Sequence, residues 1–283
     1  MSRTDMYRRT FLGTSLAATG VFMATKLIKH DGPSLTWRDN FSGPAGSSPG
    51  PAWSSVVNGG GGGNSELQYY IPQANALDGH GDLEISAQRN NGAYKAWYGP
   101  SQFTSGKLWT RQKLAFRYGT LQVRASFPCA GQPGAWPAVW MLGTNLAAVG
   151  WPRCGEIDIM ESFGRNADPR QVSAAAHWLG GNASNLHELP AGNNAAKLHT
   201  YTLDWLPGSL SFSVDGDEYL TLSKKQVGAS WPFEQPFFLI LNLAIGGTMG
   251  GSVPATAAFP YVMKVHSVSL YGGELYTASG STG

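Results

Sequence analysis

Leu210-Ser211-Phe212-Ser213-Val214-Asp215-Gly216, followed by Tyr219-Leu220-Thr221-Leu222, sets the class of the fold. Apolar and polar side chains alternate along both arms, the period of a half-buried strand. Between the arms, Asp215-Gly216 accepts the positive φ of a tight turn, so the arms should pair as an antiparallel hairpin. The same alternation runs outward through Leu83-Glu84-Ile85-Ser86-Ala87, Leu121-Gln122-Val123-Arg124-Ala125 and Val262-Met263-Lys264-Val265-His266-Ser267-Val268-Ser269-Leu270. Residues 237–245 are almost wholly apolar, as suits a strand covered on both faces. No stretch after the N-terminal leader keeps a helical period for more than about 12 residues. The expected class is all-β, a jelly roll or sandwich of two antiparallel sheets.

Composition agrees. The 283 residues carry 20 basic and 18 acidic side chains, and a net charge of +2 gives no signal for nucleic acid. Only 13% of residues are charged while 12% are aromatic, which excludes a disordered chain. The 37 glycines and 17 prolines are interleaved with short apolar runs, favouring many strands joined by tight turns. With no internal repeat and no dividing linker, one domain is expected over residues 31–273, as a monomer. The five glycines at 59–63 read as a mobile loop and residues 274–283 as a flexible tail. Cys129 and Cys154 lack the spacing of a metal site; one disulfide and two buried free thiols both fit.

Residues 1–30 read as an address. Tyr7-Arg8-Arg9-Thr10-Phe11-Leu12 opens an apolar stretch over residues 11–24 and resembles a twin-arginine export signal. The stretch falls short of the roughly 20 residues a membrane-spanning helix needs. Export to the cell envelope or the medium is therefore expected, without stable membrane insertion. Ala18-Thr19-Gly20 is the nearest approach to a cleavage site, so a retained anchor is the competing reading. In a prokaryotic host, the glycosylation pattern Asn182-Ala183-Ser184 has no meaning.

The chemistry gathers in Gly155-Glu156-Ile157-Asp158-Ile159-Met160-Glu161. Three carboxylates stand within six residues, in a chain that has 18 acidic side chains in all. On a regular strand Glu156 and Asp158 share a face while Glu161 points the other way. One extra residue at Ile159-Met160, a β-bulge, restores the parity and leaves Ile157 to the core. Two glutamates leaning inward from such a strand bring their carboxyls near the ~5 to 5.5 Å of a retaining glycosidase, short of the ~6.5 to 9.5 Å of an inverting one. Asp158 between them, as a third charge or a shared proton, should help keep one glutamate protonated at neutral pH. Taken alone, the pattern also fits a solvated acidic strand or a cation site.

Its surroundings decide between these readings. The sequence resembles glycoside hydrolase family 16, and within it the laminarinase-like endo-β-1,3-glucanases, over about residues 36–272. Beside the acidic strand, the resemblance rests on Gly63-Asn64-Ser65-Glu66-Leu67-Gln68-Tyr69-Tyr70, Thr104-Ser105-Gly106-Lys107, Phe116-Arg117-Tyr118-Gly119, Trp136-Pro137-Ala138-Val139-Trp140-Met141-Leu142, Trp151-Pro152-Arg153-Cys154 and Leu239-Ile240-Leu241-Asn242-Leu243-Ala244-Ile245-Gly246-Gly247. It implies a β-jelly roll with a concave open cleft, acting on internal bonds of a β-glucan with retention and without a cofactor. By the resemblance, Glu156 is the nucleophile, Glu161 the general acid/base and Asp158 the assisting carboxylate.

Sugar rings have apolar C–H faces, so a polysaccharide cleft needs aromatic platforms beside hydrogen-bonding groups. Trp136 and Trp151 are expected in the cleft, and Trp140 either there or in the core. His177 is read as a substrate contact or a structural histidine. Asn64 is read as a partner of a distal glucose and Glu66 as a brace for its own loop; Trp37, Trp53 and Trp205 are assigned to packing. Departures from the family pattern are informative. Asp39-Asn40-Phe41 and His266-Ser267-Val268-Ser269-Leu270-Tyr271 lack the acids that bind calcium in many members, so no metal is expected there. Thr120 and Gln122 replace a charged pair, and Met249 stands where a tryptophan is usual. The competing functions are a glucan-binding lectin, which the presence of all three acids disfavours, and a same-fold hydrolase or transglycosylase acting on mixed-linkage glucan or a galactan.

Overall fold

The computed structural model describes residues 33–277 and 280–282, so the leader expected at 1–30 lies outside the described residues. The hairpin forms as its sequence dictates. Ser209–Val214 pairs with Asp217–Ser223, Val214 lies opposite Asp217, and the turn residues Asp215 and Gly216 take φ of 51° and 87°.

This hairpin edges the first of two sheets. Its order is Asp217–Ser223, Ser209–Val214, His199–Leu206, Gly119–Ser126, Tyr261–Tyr271, Leu83–Arg89, Phe103–Ser105 and Gln68–Tyr70. The second runs Gly181–Glu188, Gln171–Trp178, Glu156–Glu161, Ala135–Gly143, Phe237–Ile245, Leu114–Arg117, Glu274–Thr277 and Gly280–Thr282. Lys107–Trp109 also pairs with Phe237–Ile245. Pairing is antiparallel throughout except between Gln68–Tyr70 and Phe103–Ser105, which run parallel.

Alternation places one face of each sheet in a shared core. Leu83, Ile85, Val123, Leu203, Phe212, Met263 and Val265 meet Val139, Met141, Ile157, Met160, Ala174, Leu239 and Leu241. Phe237–Ile245 is buried at every position, as its almost wholly apolar sequence required. Trp53 and Trp205 are buried, and Trp37 packs against the same core. Cys129 and Cys154 are free, buried thiols.

Two expectations are corrected. Residues 274–283 were expected to form a flexible tail, but Glu274–Thr277 is a strand whose Thr277, Tyr276, Leu275 and Glu274 lie opposite Leu114, Ala115, Phe116 and Arg117, and Gly280–Thr282 pairs beyond it. The Arg117–Glu274 ion pair, at 2.5 Å, ties the strand down. The glycine run at 59–63 is a shaped turn rather than a loose loop. Its carbonyl at Gly61 accepts the N–H groups of Asn64 and Glu66, and a Cβ on Gly62 would meet the Glu66 carboxylate at 2.0 Å. In the two segments where no metal is expected, Asp39 accepts from the Phe41 N–H and the Trp53 indole, and His266 is held by Asp82.

Candidate active site

The second sheet has one face in the core and one turned away from it, and the acidic strand Glu156–Glu161 runs near its middle. The neighbouring strand gives the orientation of each residue. Leu142, Trp140 and Ala138 alternate and so share a face, and they lie opposite Glu156, Asp158 and Glu161 respectively. The ladder passes directly from Asp158 to Met160 on one side and from Asp158 to Glu161 on the other, leaving Ile159 as the extra residue. Both Ile159 and Met160 enter the core. The bulge expected from parity is therefore present, and all three acids project from the outward face.

Each glutamate is fixed by a tryptophan. The Trp136 indole N–H donates to Glu161 Oε1 at 2.9 Å, and that of Trp151 donates to Glu156 Oε2 at 2.6 Å. Gly155, with φ of 76°, precedes Glu156 where a Cβ would stand 2.7 Å from Pro232 and 2.9 Å from Phe237, so the approach to the strand requires glycine. His177 lies directly across the ladder from Glu156, and its Nε2 is 3.1 Å from Asp158 Oδ2. Glu156, Asp158 and His177 bring one ligand-type atom each within 4.8 Å of the others. A divalent cation could sit among them, but two carboxylates this close also share a proton, which satisfies them without one.

Burial governs the protonation of this group. The Asp158 side chain is 4% exposed; desolvation, then the charge of Glu156 and the hydrogen bond to it, push its carboxyl well above the usual range. Glu161 is likewise pushed well up, by burial and then by Asp158, with the Trp136 N–H pulling weakly the other way. Glu156 is raised less. Burial lifts it, but His177, the Trp151 N–H, Asp158 and Lys107 all favour its charged form. The arrangement is asymmetric: Glu156 ionises first, while Glu161 and Asp158 hold their protons towards neutral pH.

The aromatic assignments hold in part. Trp151 is 60% exposed and flanks His177, with ring centres 6.4 Å apart. Trp136 is buried against Phe163, Ala244 and Met249, so it serves as a donor to Glu161 and offers no open platform. Trp140 belongs to the acid-bearing face. Its indole donates to Asn242 Oδ1 at 2.6 Å, and Lys107 Nζ lies 4.7 Å from its ring centre. Asn64, read as a partner of a distal glucose, sits on the glycine turn. Its amide bonds the Gly62 carbonyl at 3.4 Å, and its backbone oxygen accepts from the N–H and hydroxyl of Thr248. Glu66 braces its loop, accepting from Gln68 Nε2 at 2.6 Å and Tyr70 Oη at 3.2 Å.

Two residues on this face had no role assigned from sequence. Asn242 is the one polar residue in Phe237–Ile245, and that oddity was the available signal. It links Trp140 to Tyr70, whose hydroxyl accepts from its amide at 3.1 Å. Lys107 lies between the Tyr70 and Trp140 rings; burial lowers its pKa, and Glu66 and Glu156 restore part of the charge preference.

Residues 68–261 match Glycosyl hydrolases family 16. The chain belongs to that family. It is 33% identical over 287 residues to the beta-glucanase of Rhodothermus marinus, spanning 96% of each chain. A glucan endo-1,3-beta-glucosidase of Cryptopygus antarcticus is 34% identical over 242 residues, which is 78% of this chain and 83% of that one. The laminarinase catalytic domain from Thermotoga maritima MSB8 superposes with a TM-score of 0.77 at 33% identity, over 85% of this chain and 98% of that one. The family 16 assignment makes the protein a glycoside hydrolase, and the jelly roll read from its strand pattern is the fold of these relatives.

Proposed function

We propose that this family 16 hydrolase is an endo-β-1,3-glucanase that cleaves laminarin-type glucans with retention of anomeric configuration. The observation that carries the reading is the bulge at Ile159, which sets Glu156, Asp158 and Glu161 on one face with both glutamates held by indole N–H groups. The names of the relatives supply the substrate class.

In the first step Glu161, kept protonated by burial, gives its proton to the glycosidic oxygen as that bond breaks, and ionised Glu156 attacks the anomeric carbon. Asp158 retains its proton and donates to Glu156, which orients the nucleophile and leaves as a hydrogen bond to the ester carbonyl of the glycosyl-enzyme. In the second step Glu161, now a carboxylate, takes a proton from water, which attacks the same carbon and frees Glu156. Trp151 and His177 serve the sugar beside the broken bond, and Trp140, held by Asn242, serves with Lys107 the sugars further along the face.

Reducing-end release by the purified protein tests this directly. Laminarin should be cleaved faster than lichenan, and agarose not at all; cleavage of agarose alone would contradict the substrate assignment. A Glu156→Gln variant should retain under a few per cent of activity.

For the rest of the chain, the proposal is that residues 1–30 direct twin-arginine export and that the enzyme acts outside the cytoplasm as a monomer whose hydrolase domain begins near residue 31. The Arg8-Arg9 pair supports this, and among the described residues no helix is long and apolar enough to cross a membrane. Replacing both arginines by lysine should leave the protein in the cytoplasm.

A further inference from the structure

Trp97 is one of the most exposed large apolar side chains among the described residues, at 55%, and nothing in the catalytic account uses it. It sits at the turn of a small hairpin in which Lys95–Ala96 pairs with Gly99–Pro100. Exposed indoles on mobile loops are common enough to need no explanation. This one is immobilised. Its Nε1 donates to the Glu66 carbonyl at 2.8 Å, and its own N–H donates to the Gly59 carbonyl at 2.9 Å. The ring rests on Gly61, where an added Cβ would stand 2.8 Å from Nε1. Tyr98 meets the ring edge-on at 5.5 Å and is itself anchored by a 2.7 Å hydrogen bond to the Leu67 carbonyl. Beside it Tyr69 and Tyr94 stack at 4.9 Å with planes 13° apart, and Tyr94 is 37% exposed. Gly59, whose added Cβ would stand 2.5 Å from Tyr69, and Gly61 beneath Trp97 therefore serve as the seat of an aromatic ledge, which explains why bulkier residues are missing at those two positions.

The ledge is continuous with the acid-bearing face. Glu66, whose carbonyl holds Trp97, pairs with Gly246 at the end of Phe237–Ile245. Its carboxylate is bonded by Tyr70, Tyr70 by Asn242, and Asn242 by Trp140, which lies across the ladder from Asp158. Counting strands from Glu156–Glu161 through Ala135–Gly143 and Phe237–Ile245 to Glu66 gives three spacings, about 14 Å, across the sheet. Glu66 stands opposite Gly246, six residues along the strand from the Ile240 that pairs with Trp140, which adds about 20 Å in the strand direction. A linear polymer crossing this face obliquely runs onto the ledge after several sugars.

We propose that the Trp97 ledge, with Tyr69 and Tyr94, is a distal subsite that grips the continuing glucan chain and makes the enzyme favour long polymers over short oligosaccharides. This rests on the β-glucanase reading above. An amphipathic sugar face against a fixed, half-exposed indole is the contact such a site requires, and no charged side chain is needed.

The experiment is isothermal titration of the full-length Glu156→Gln protein, with and without Trp97→Ala, against laminarin and against laminaritriose. Trp97→Ala should weaken the Kd for laminarin by about 3- to 10-fold, the scale of one aromatic contact, and leave that for laminaritriose within about twofold of the parent. Trp97→Phe, keeping a ring, should recover part of the loss. An unchanged laminarin Kd with the melting temperature preserved overturns the proposal, as does equal weakening for both ligands, which would mark a general disturbance of the cleft. Failure of the functional reading looks different: the wild-type protein then releases no reducing ends from laminarin, whatever Trp97 does to binding.

Discussion

Asp78, Asp82 and Glu84 crowd one patch of the first sheet much as Glu156, Asp158 and Glu161 crowd the second. The first trio faces Lys264 and His266 from the adjoining strand: Lys264 Nζ is 3.4 Å from Asp78 and 3.5 Å from Glu84, and His266 Nδ1 is 3.0 Å from Asp82. Burial alone would raise the Asp78 pKa, but the N–H groups of His80 and Asp82 and the Lys264 charge outweigh it, and the carboxyl ends below its usual value. Lys264 is raised in turn. At the second trio burial is deeper and Asp158 meets the like charge of Glu156, so Asp158 and Glu161 move up. Carboxylate density is the same in both places; burial and the supply of counter-charge differ, and they decide whether an acid is a structural anchor or a proton donor.

The largest effect that could break this contrast is on catalysis. Glu156→Gln should lower kcat by roughly 10⁴- to 10⁶-fold, with no loss of melting temperature at neutral pH, because it removes a buried charge. Glu161→Gln should cost about 10²- to 10⁴-fold, with partial rescue by an aryl glucoside whose leaving group needs no proton. Wild-type activity should follow a bell-shaped pH profile. It should rise as Glu156 ionises somewhat above the usual glutamate range and fall as Glu161 loses its proton well above that range.

Stability sharpens the contrast further, because the two trios have opposite signs. A carboxyl whose folded pKa is raised costs stability once pH exceeds its unfolded value near 3.8, fully so above the folded pKa. Asp158→Asn should therefore raise the melting temperature at pH 7 and not below pH 3.8. Asp78 has the reverse sign: its contribution is present above 3.8 and lost as pH falls through the lowered folded value. Asp78→Asn should lower stability at pH 7 by about 0.5–1 kcal/mol, a shift of roughly 1–4 °C, and do nothing in strong acid. The smallest effect is a chelator, which should leave the melting temperature unchanged because Asp39 and His266 are engaged by protein groups.

Local pattern carried the strands, the hairpin turn and the bulge, because each depends on residue parity or on φ within a few positions. The strand at 274–277 was hidden because its pairing with Leu114–Arg117 spans more than 150 residues, and its glycine-flanked, partly polar sequence resembles a tail. The burial of the Trp136 ring was hidden for a related reason. Sequence shows that a segment belongs to the active face, but whether an indole there is open or buried depends on Phe163 and Met249 from distant loops. Asn242 was legible in principle, as a polar residue alone in an apolar strand.

The central claim is that the extra residue at Ile159 turns Glu161 towards Glu156 closely enough for a covalent intermediate. Proton NMR of laminarin cleavage, recorded in the first minutes before mutarotation, tests it most directly. The account predicts that the new reducing ends appear as the β-anomer; first appearance of the α-anomer would mean direct attack by water and would contradict it.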